Sequence, residues 1–510
     1  MRSPRLTIPG LVLILIAGGL SDAGAGEVPL TLDECLRRAL EASLEIREGR
    51  FAPEIAGTFI TEAESEFEHL LSFNTAGGKS RIPVGTLFNN TDTSEEQQFS
   101  AEAALGQKVR TGGSWSLGFQ TSDLVTDSSF YTVRPAWTNS FSFRARQPLL
   151  RRAGMDYNES NIRVAEASTR AARAEYRNLL NRTLAGVERA YWQLVYTASD
   201  LEVKRYSLRV AEELLRVSRR RLDAGAGTRI EVVQADAGVA QREKDAILAE
   251  HYMSSAQDVL RSYVFPFVES PDGEVLIRPL DQASPTPPSP AGDLEDRIRI
   301  AFDRRPDVEA AKEALEAAGI RVTQRENELL PQVDAFGRVG LTGLEDNFSE
   351  STRTSMSRRY PAWEIGISVE IPLGNEAARS RHQRSLLERA KIAAGFESLK
   401  NRVVVDVRDA WRLLETSRRE IDASRRAVVA AQAQFEAERD RVQAEKSTNY
   451  QLLETEQALS VSRSQELLSL ISYRIALVNI EEASGTFLEA RGLSLPEGDS
   501  FREDLPEDAR

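Results

Sequence analysis

The side chains able to do chemistry in this 510-residue chain are few and far apart. His69, His251 and His382 stand isolated, without the short spacing that lets neighbouring imidazoles share a zinc ion. The single cysteine, Cys35, excludes an intramolecular disulfide and a cysteine metal cluster, and its place amid Leu32, Leu36 and Leu40 assigns it to core packing. No phosphate-cradling loop, nucleophile elbow or paired-carboxylate signature rises above the helical background. The run Arg219-Arg220-Arg221 reads as a solvated helix face rather than a site. The chain is therefore not expected to be an enzyme, and no cofactor or metal is expected.

Composition narrows the partners. Acidic residues outnumber basic ones, 78 to 65, for a net charge of −13, and no basic arm offsets it, so nucleic acid is not an expected partner. Mean hydropathy is low, and nothing after residue 30 approaches the roughly 20 apolar residues of a spanning helix. The N-terminus reads as a signal peptide over residues 1–25: Arg2 and Arg5 precede the apolar run Leu11–Leu20, and Ala23-Gly24-Ala25 offers small residues for cleavage. A membrane anchor is the competing reading, weaker because the run is short. No cysteine near the cut invites lipidation.

The elements that position everything else are long helices. Val187, Leu194, Leu201, Leu208, Leu215 and Leu222 recur every seven residues, and Val407, Leu414, Ile421, Val428, Phe435 and Val442 repeat the stripe 220 residues later. A seven-residue apolar period makes helices supercoil, because it keeps one seam buried only when the helix is slightly under-wound. Two such stripes predict a duplicated unit: a first repeat over 26–268, an equatorial segment and Pro-rich linker over 269–292, a second repeat over 293–490 and an acidic tail over 491–510. Thr31 with Glu34 and Asp293 with Asp296 mark the opening helix of each repeat. The openings are offset by 262 residues and the heptads by 220, which leaves 42 surplus residues in the first repeat, room for an extra hairpin.

Between opening helix and heptads the period changes to two. Trp363, Ile365, Ile367, Val369 and Ile371 alternate with Glu364, Gly366, Ser368 and Glu370; Phe141, Phe143 and Ala145 alternate with Ser142, Arg144 and Arg146. Strands are predicted near 68–77, 98–109, 113–123 and 138–147, then near 331–342 and 362–372, with Thr111-Gly112-Gly113 as a hairpin turn. A soluble sandwich would explain such alternation. The strands are too few for a core of their own, however, and an exported chain can place them in a membrane β-barrel, apolar outward and polar toward a lumen. Glu102, Arg144, Arg146, Arg338, Glu364 and Glu370 then face the lumen, and Trp115, Tyr131, Trp137, Tyr360 and Trp363 sit at the interfaces.

Pro148 and Pro372 close alternating runs ahead of long helical stretches, as a residue without an amide hydrogen should. A helix from Tyr157 to Gly225 would rise roughly 100 Å. Its reversal, Asp223-Ala224-Gly225-Ala226-Gly227-Thr228, has a counterpart in Ala444-Glu445-Lys446-Ser447-Thr448-Asn449. Gly225 and Gly227 are expected to supply left-handed conformations, and Thr228 and Thr448 to cap the returning helices. Ser284-Pro285-Thr286-Pro287-Pro288-Ser289-Pro290 reads as an extended linker.

Signal, helix, strands, long antiparallel helix pair, linker, and the same again: the order resembles the TolC-type outer-membrane efflux protein family over about Leu30 to Ala490. The specific elements are the duplication, Leu30-Thr31-Leu32-Asp33-Glu34-Cys35, Gln147-Pro148-Leu149-Leu150 and the tip Gly227-Thr228-Arg229-Ile230-Glu231-Val232-Val233. The resemblance implies a mainly α chain with membrane β structure: coiled-coil helical hairpins forming a periplasmic α-barrel, continued by a trimeric β-barrel in the lipid of the cell outer membrane. It implies an exit duct of a tripartite efflux or type I secretion system, a homotrimer joined to a periplasmic adaptor protein and an inner-membrane transporter. The helix tips Gly225, Gly227, Thr228, Ser447 and Thr448 would contact the adaptor. Matching Thr448 to the family's threonine places its periplasmic constriction at Gln451 and Glu454, with Glu231 and Gln234 as first-repeat equivalents. Gln451 departs from the acidic pattern. The alternative reading is a soluble periplasmic coiled-coil scaffold protein, which accounts for the heptads and leaves the strands without a purpose.

Overall fold

Thr31 starts the first long-range element as its side chain requires. Its hydroxyl accepts the Glu34 amide at 3.4 Å while the Glu34 carboxylate accepts the Thr31 amide at 2.9 Å, closing both halves of a capping box. The protein was studied as a computed structural model that describes residues 27–83, 93–127, 131–266, 275–282, 292–444 and 446–493. The expected signal segment, the Pro-rich linker and all but the first three residues of the acidic tail lie outside the described residues, as does Glu445.

In chain order, β1 (Glu27–Leu30), α1 (Leu32–Ala42), α2 (Leu44–Gly49) and α3 (Phe51–Glu64) lead into β2 (His69–Pro83), β3 (Thr93–Lys108), β4 (Ser114–Thr126) and β5 (Ala136–Pro148). A short α4 (Met155–Asn158) precedes the long pair α5 (Ser160–Asp223) and α6 (Arg229–Val264), then β6 (Leu276–Pro279). After α7 (Leu294–Arg304) and α8 (Pro306–Asn327) come β7 (Gln332–Glu345), α9 (Phe348–Met356) and β8 (Pro361–Glu370). The pair α10 (Glu376–Gln443) and α11 (Asn449–Ala483) and the short α12 (Phe487–Ala490) complete the described elements. α5 begins three residues later than periodicity predicts, because Asn158 turns its side-chain amide onto the Arg152 and Gly154 carbonyls and interrupts the helix there. Among the described residues no helix is long and apolar enough to cross a membrane.

Contacts divide the chain into two compact units, each built from three segments. One comprises Met1–Leu44, Val187–Pro287 and Glu420–Arg474. Within it the heptad stripe is buried at Val187, Leu194 and Leu201, half-buried at Leu208 and Leu215, and exposed at Leu222 beside the turn. Phe435 packs with Leu452 and Leu459, and Val210 and Leu214 close over them. Ala211 and Ser218 on α5 are buried seven residues apart. Serine contributes nothing to an apolar count, so the hydrophobic pattern leaves such positions out. Where β1 pairs in parallel with β6, the Tyr191 hydroxyl donates to the Asp281 carboxylate at 2.7 Å and accepts the Asp281 amide at 3.2 Å. The same carboxylate accepts the Leu32 amide at 2.8 Å, tying the start of α1 to α5. Cys35 is fully buried beside Leu36 and Ala39, as expected of core packing.

The other unit comprises Glu45–Gly186, Pro288–Arg419 and Ile475–Arg510. Its centre is one six-stranded antiparallel sheet in the order β2-β3-β4-β5-β7-β8. All six expected strands are present. The first hairpin runs further than its apolar alternation, and the extra length is polar: Lys79 and Arg81 on β2 meet Glu95 on β3 at 2.9 and 3.7 Å. The turn between β3 and β4 is the expected one. Gly112 adopts φ 89°, and a Cβ there would strike the Arg152 carbonyl oxygen, so both backbone and space demand glycine.

Candidate functional site

Direct cross-strand partners share a face, so the register sorts the sheet into two surfaces. On one, Leu71, Leu105, Leu117, Phe143, Val339 and Trp363 form an unbroken apolar row across all six strands. The next row on this face, Phe73, Ala103, Phe119, Phe141, Leu341 and Pro361, is also free of polar side chains. On β8 this surface is bare: Trp363 is 77% exposed and Ile365 78%.

The opposite face is polar. Leu70, Gly106, Ser116, Arg144, Arg338 and Glu364 form the corresponding row, and a concavity of about 870 Å³ touches every one of them, so the sheet curls with this face inside. Beside it runs a row of small residues, Ser72, Ala104, Gly118, Ser142, Gly340 and Ala362. The six residues read as lumenal all lie on this face. Arg144, Arg338 and Glu364 are brought together in one row. Arg146 pairs with Asp334 at 2.5 Å. Glu102 stands apart opposite Gln120, and Glu370 opposite Gln332 at the far end of β8. The buried acid Asp334 escaped sequence reasoning because it falls where the alternation of β7 is weakest.

Of the expected interface aromatics, Trp137 lies under a short helix that the sequence reading lacked. α9 packs on the apolar side of β5 and β7, its Phe348 ring 5.7 Å from Trp137 and 6.3 Å from Phe119. Asn139, fully buried beneath it, accepts from Thr121 at 2.6 Å and donates to the Phe348 carbonyl at 2.9 Å and the Thr352 hydroxyl at 2.7 Å. Gly343 is obligatory opposite, since a Cβ would collide with the Ser351 carbonyl. The signal for α9 was available: Asn347, three residues before Glu350, is a capping pattern, and its side chain accepts the Glu350 amide at 2.9 Å.

In the first unit the helix tips carry the remaining candidates. Thr228 and Thr448 cap α6 and α11, each hydroxyl accepting a backbone amide at 3.3 Å, from Glu231 and Gln451 respectively. Gly225 takes the left-handed conformation expected of it, at φ 75°. Gly227 does not. Its φ is not positive, and glycine is required there because a Cβ would press on the backbone of Arg221 and Leu222 at 3.1–3.2 Å. Ser447 sits between the Glu438 carboxylate and the Gln451 side-chain oxygen, so Gln451 is held in the cap. Glu454, one turn on, is exposed, with no hydrogen bond or ion pair among the described residues. Glu231 and Gln234 occupy the matching turn of α6, both half-buried.

What joins α6 to α11 is a buried ion pair absent from sequence reasoning. Arg242 reaches Glu456 through two nitrogens, at 2.8 and 2.7 Å, and donates to the Leu453 carbonyl at 2.7 Å and the Gly238 carbonyl at 3.2 Å. Gly238 permits this closeness, since a Cβ would sit 2.7 Å from the Leu453 side chain. A glycine inside a helix, one turn before an arginine, was the available clue. Among the described residues no group of His, Cys, Asp and Glu side chains is placed to hold a metal ion.

Comparison with known proteins bears on both surfaces. The profile described as outer membrane efflux protein matches residues 113–264 and 298–486. The outer membrane efflux protein BepC of Brucella suis is 28% identical over 341 residues, 65% of this chain and 68% of BepC. The alkaline protease secretion protein AprF of Pseudomonas aeruginosa is 24% identical over 387 residues, 74% of this chain and 76% of AprF. Among solved structures, the Campylobacter jejuni CmeC outer membrane channel superposes with TM-score 0.66 at 14% identity, covering 100% of this chain and 99% of CmeC. The outer-membrane channel OprN gives TM-score 0.66 at 16% identity, covering 89% and 90%. At these identities the structural likeness speaks for the fold.

Proposed function

Because the chain belongs to the outer membrane efflux protein family, we propose that three copies of it enclose one continuous exit duct. The protein is an outer-membrane efflux channel with a periplasmic extension. The trimer and the division of labour among residues are inferences from its surfaces, and the internal duplication is inferred from the heptad stripes 220 residues apart. One observation carries the assembly of copies. A single chain holds a curled sheet, apolar on the convex side and polar on the concave, whose two edge strands have no further partner among the described residues. Unpaired strand edges are not tolerated in lipid, so copies must complete each other. Exposed apolar residues at helical spacing support the same conclusion: Phe51, Ile55 and Phe59 line one face of α3, and Leu248, Tyr252 and Val259 one face of α6. A soluble scaffold would leave these surfaces in water.

Heptad hairpins of the two repeats would then form the helical barrel, with the polar sheet face, including Arg144, Arg338 and Glu364, lining the membrane pore. The capped tips at Thr228 and Thr448 would meet a periplasmic adaptor that links the duct to an inner-membrane transporter. The names of AprF and of the pyoverdine export protein OpmQ support secretion and efflux roles alike. Glu454, unpaired and exposed, would repeat three times around the axis near the entrance, where clustered carboxylates focus a negative potential and favour cations.

The test is reconstitution. Protein extracted from outer membranes by detergent should run as a heat-dissociable trimer and insert discrete cation-preferring conductances into planar bilayers. Material that stays in the soluble fraction, or inserts no conductance, would refute the reading.

A further inference from the structure

We propose that all six strands of each chain enter the membrane wall, so that a trimer closes an eighteen-stranded barrel through pairing of β2 of one copy with β8 of the next. The inference rests on the trimeric reading above and concerns what the wall contains. The surplus hairpin β2–β3 is the part in question. It does not stand aside from the sheet. β3 is hydrogen-bonded to β4 from Glu96 opposite Thr126 to Lys108 opposite Ser114, and to β2 along the whole of that strand. A wall closed through β4 would have to break the first of those ladders.

The free edges therefore belong to β2 and β8. Six antiparallel strands leave these two edges running in opposite directions, which is what antiparallel closure between copies needs. The apolar face is most open at both edges: Leu71 and Phe73 are 74% and 72% exposed, against 52% for Leu117 and 44% for Phe143 on inner strands. A neighbouring strand supplies the missing cover. Edge strands of soluble sheets resist such pairing with charges, prolines or bulges. From His69 to Gly78, β2 has no acidic or basic side chain other than its first residue, and from Ala362 to Val369, β8 carries only Glu364, which lies on the polar face. These edges are built to pair.

Width follows from number. With strands about 4.8 Å apart and tilted about 40°, eighteen strands give a backbone diameter of about 36 Å, whereas twelve would give about 24 Å. The row of small residues from Ser72 to Ala362 keeps the wall thin on its inner side. The membrane section is then too wide to discriminate among small solutes, and selection falls to the helix tips.

Cryo-electron microscopy of the full-length wild-type channel in lipid nanodiscs decides the matter. The expected result is a three-fold particle with eighteen strands and β2 in register against β8 of the adjacent copy. A three-fold particle with twelve strands and the β2–β3 hairpin outside the wall would overturn this inference and leave the duct intact. A particle without three-fold symmetry would instead overturn the trimeric reading on which it rests.

Discussion

Glu454 and Gln451, neighbours on one helix, differ in their surroundings. Gln451 is engaged by Ser447 and the cap, while Glu454 stays exposed one turn later. Replacing Glu454 by alanine should therefore lower cation-over-anion permeability, roughly twofold, with the fold unchanged. Reversal potentials under a salt gradient measure it, and an unaltered potential would contradict the proposed place of Glu454 in the pore. Cys35 gives a prediction of a different kind. Burial pushes its thiol from an ordinary 9.0 up to about 12, so folded protein should resist maleimide at pH 8 and react once unfolded. The unfolded chain loses this proton first as pH rises. Stability should accordingly be undiminished below about 9 and fall through the interval up to about 12, and Cys35→Ala should flatten that part of the alkaline melting profile. Caps such as Thr228 and Thr448 could be read from sequence because their signal is local. The reason for Gly227 could not, since a close backbone approach leaves no mark in residue type.

Strands and long helices were readable wherever one side of the element is apolar. β8 alternates without a break and was found almost to the residue, whereas the outer parts of β2 and β3, polar on both faces and joined by Lys79, Arg81 and Glu95, carry no period and were undercounted. The turn between β3 and β4 should be the least tolerant position of the hairpins. Gly112→Ala demands a left-handed conformation from a residue that disfavours it and adds an atom against the Arg152 carbonyl. Assembled channel in the outer membrane should drop severalfold, as read by the heat-dissociable band on gels. A normal yield would show that the turn can rearrange. Arg242 and Glu456 couple α6 to α11 out of water's reach. Arg242→Met leaves a buried carboxylate uncompensated and should cost roughly 3–5 kcal/mol, while Arg242→Met with Glu456→Leu should recover much of it. Thermal melting of the three proteins checks the order. If the double variant melts no higher than the single, the pair contributes through packing rather than charge.

Assembly is proposed from what the chain cannot do alone. The alternating strands are too few to enclose a lumen, and among the described residues the sheet they form ends in two unpaired edges. The heptads announced helices that need neighbours, whereas the exposed apolar face of α3, at Phe51, Ile55 and Phe59, has no seven-residue signature to reveal it. Membership of the family was recoverable from order and spacing. The number of strands in the proposed wall was not, because it depends on whether the β2–β3 hairpin pairs with β4, a long-range choice without a local code. Native mass spectrometry of the detergent-extracted protein addresses the central claim most directly: the mass should correspond to three chains, with no stable smaller species. A folded, detergent-free single chain that remains in solution would contradict the account.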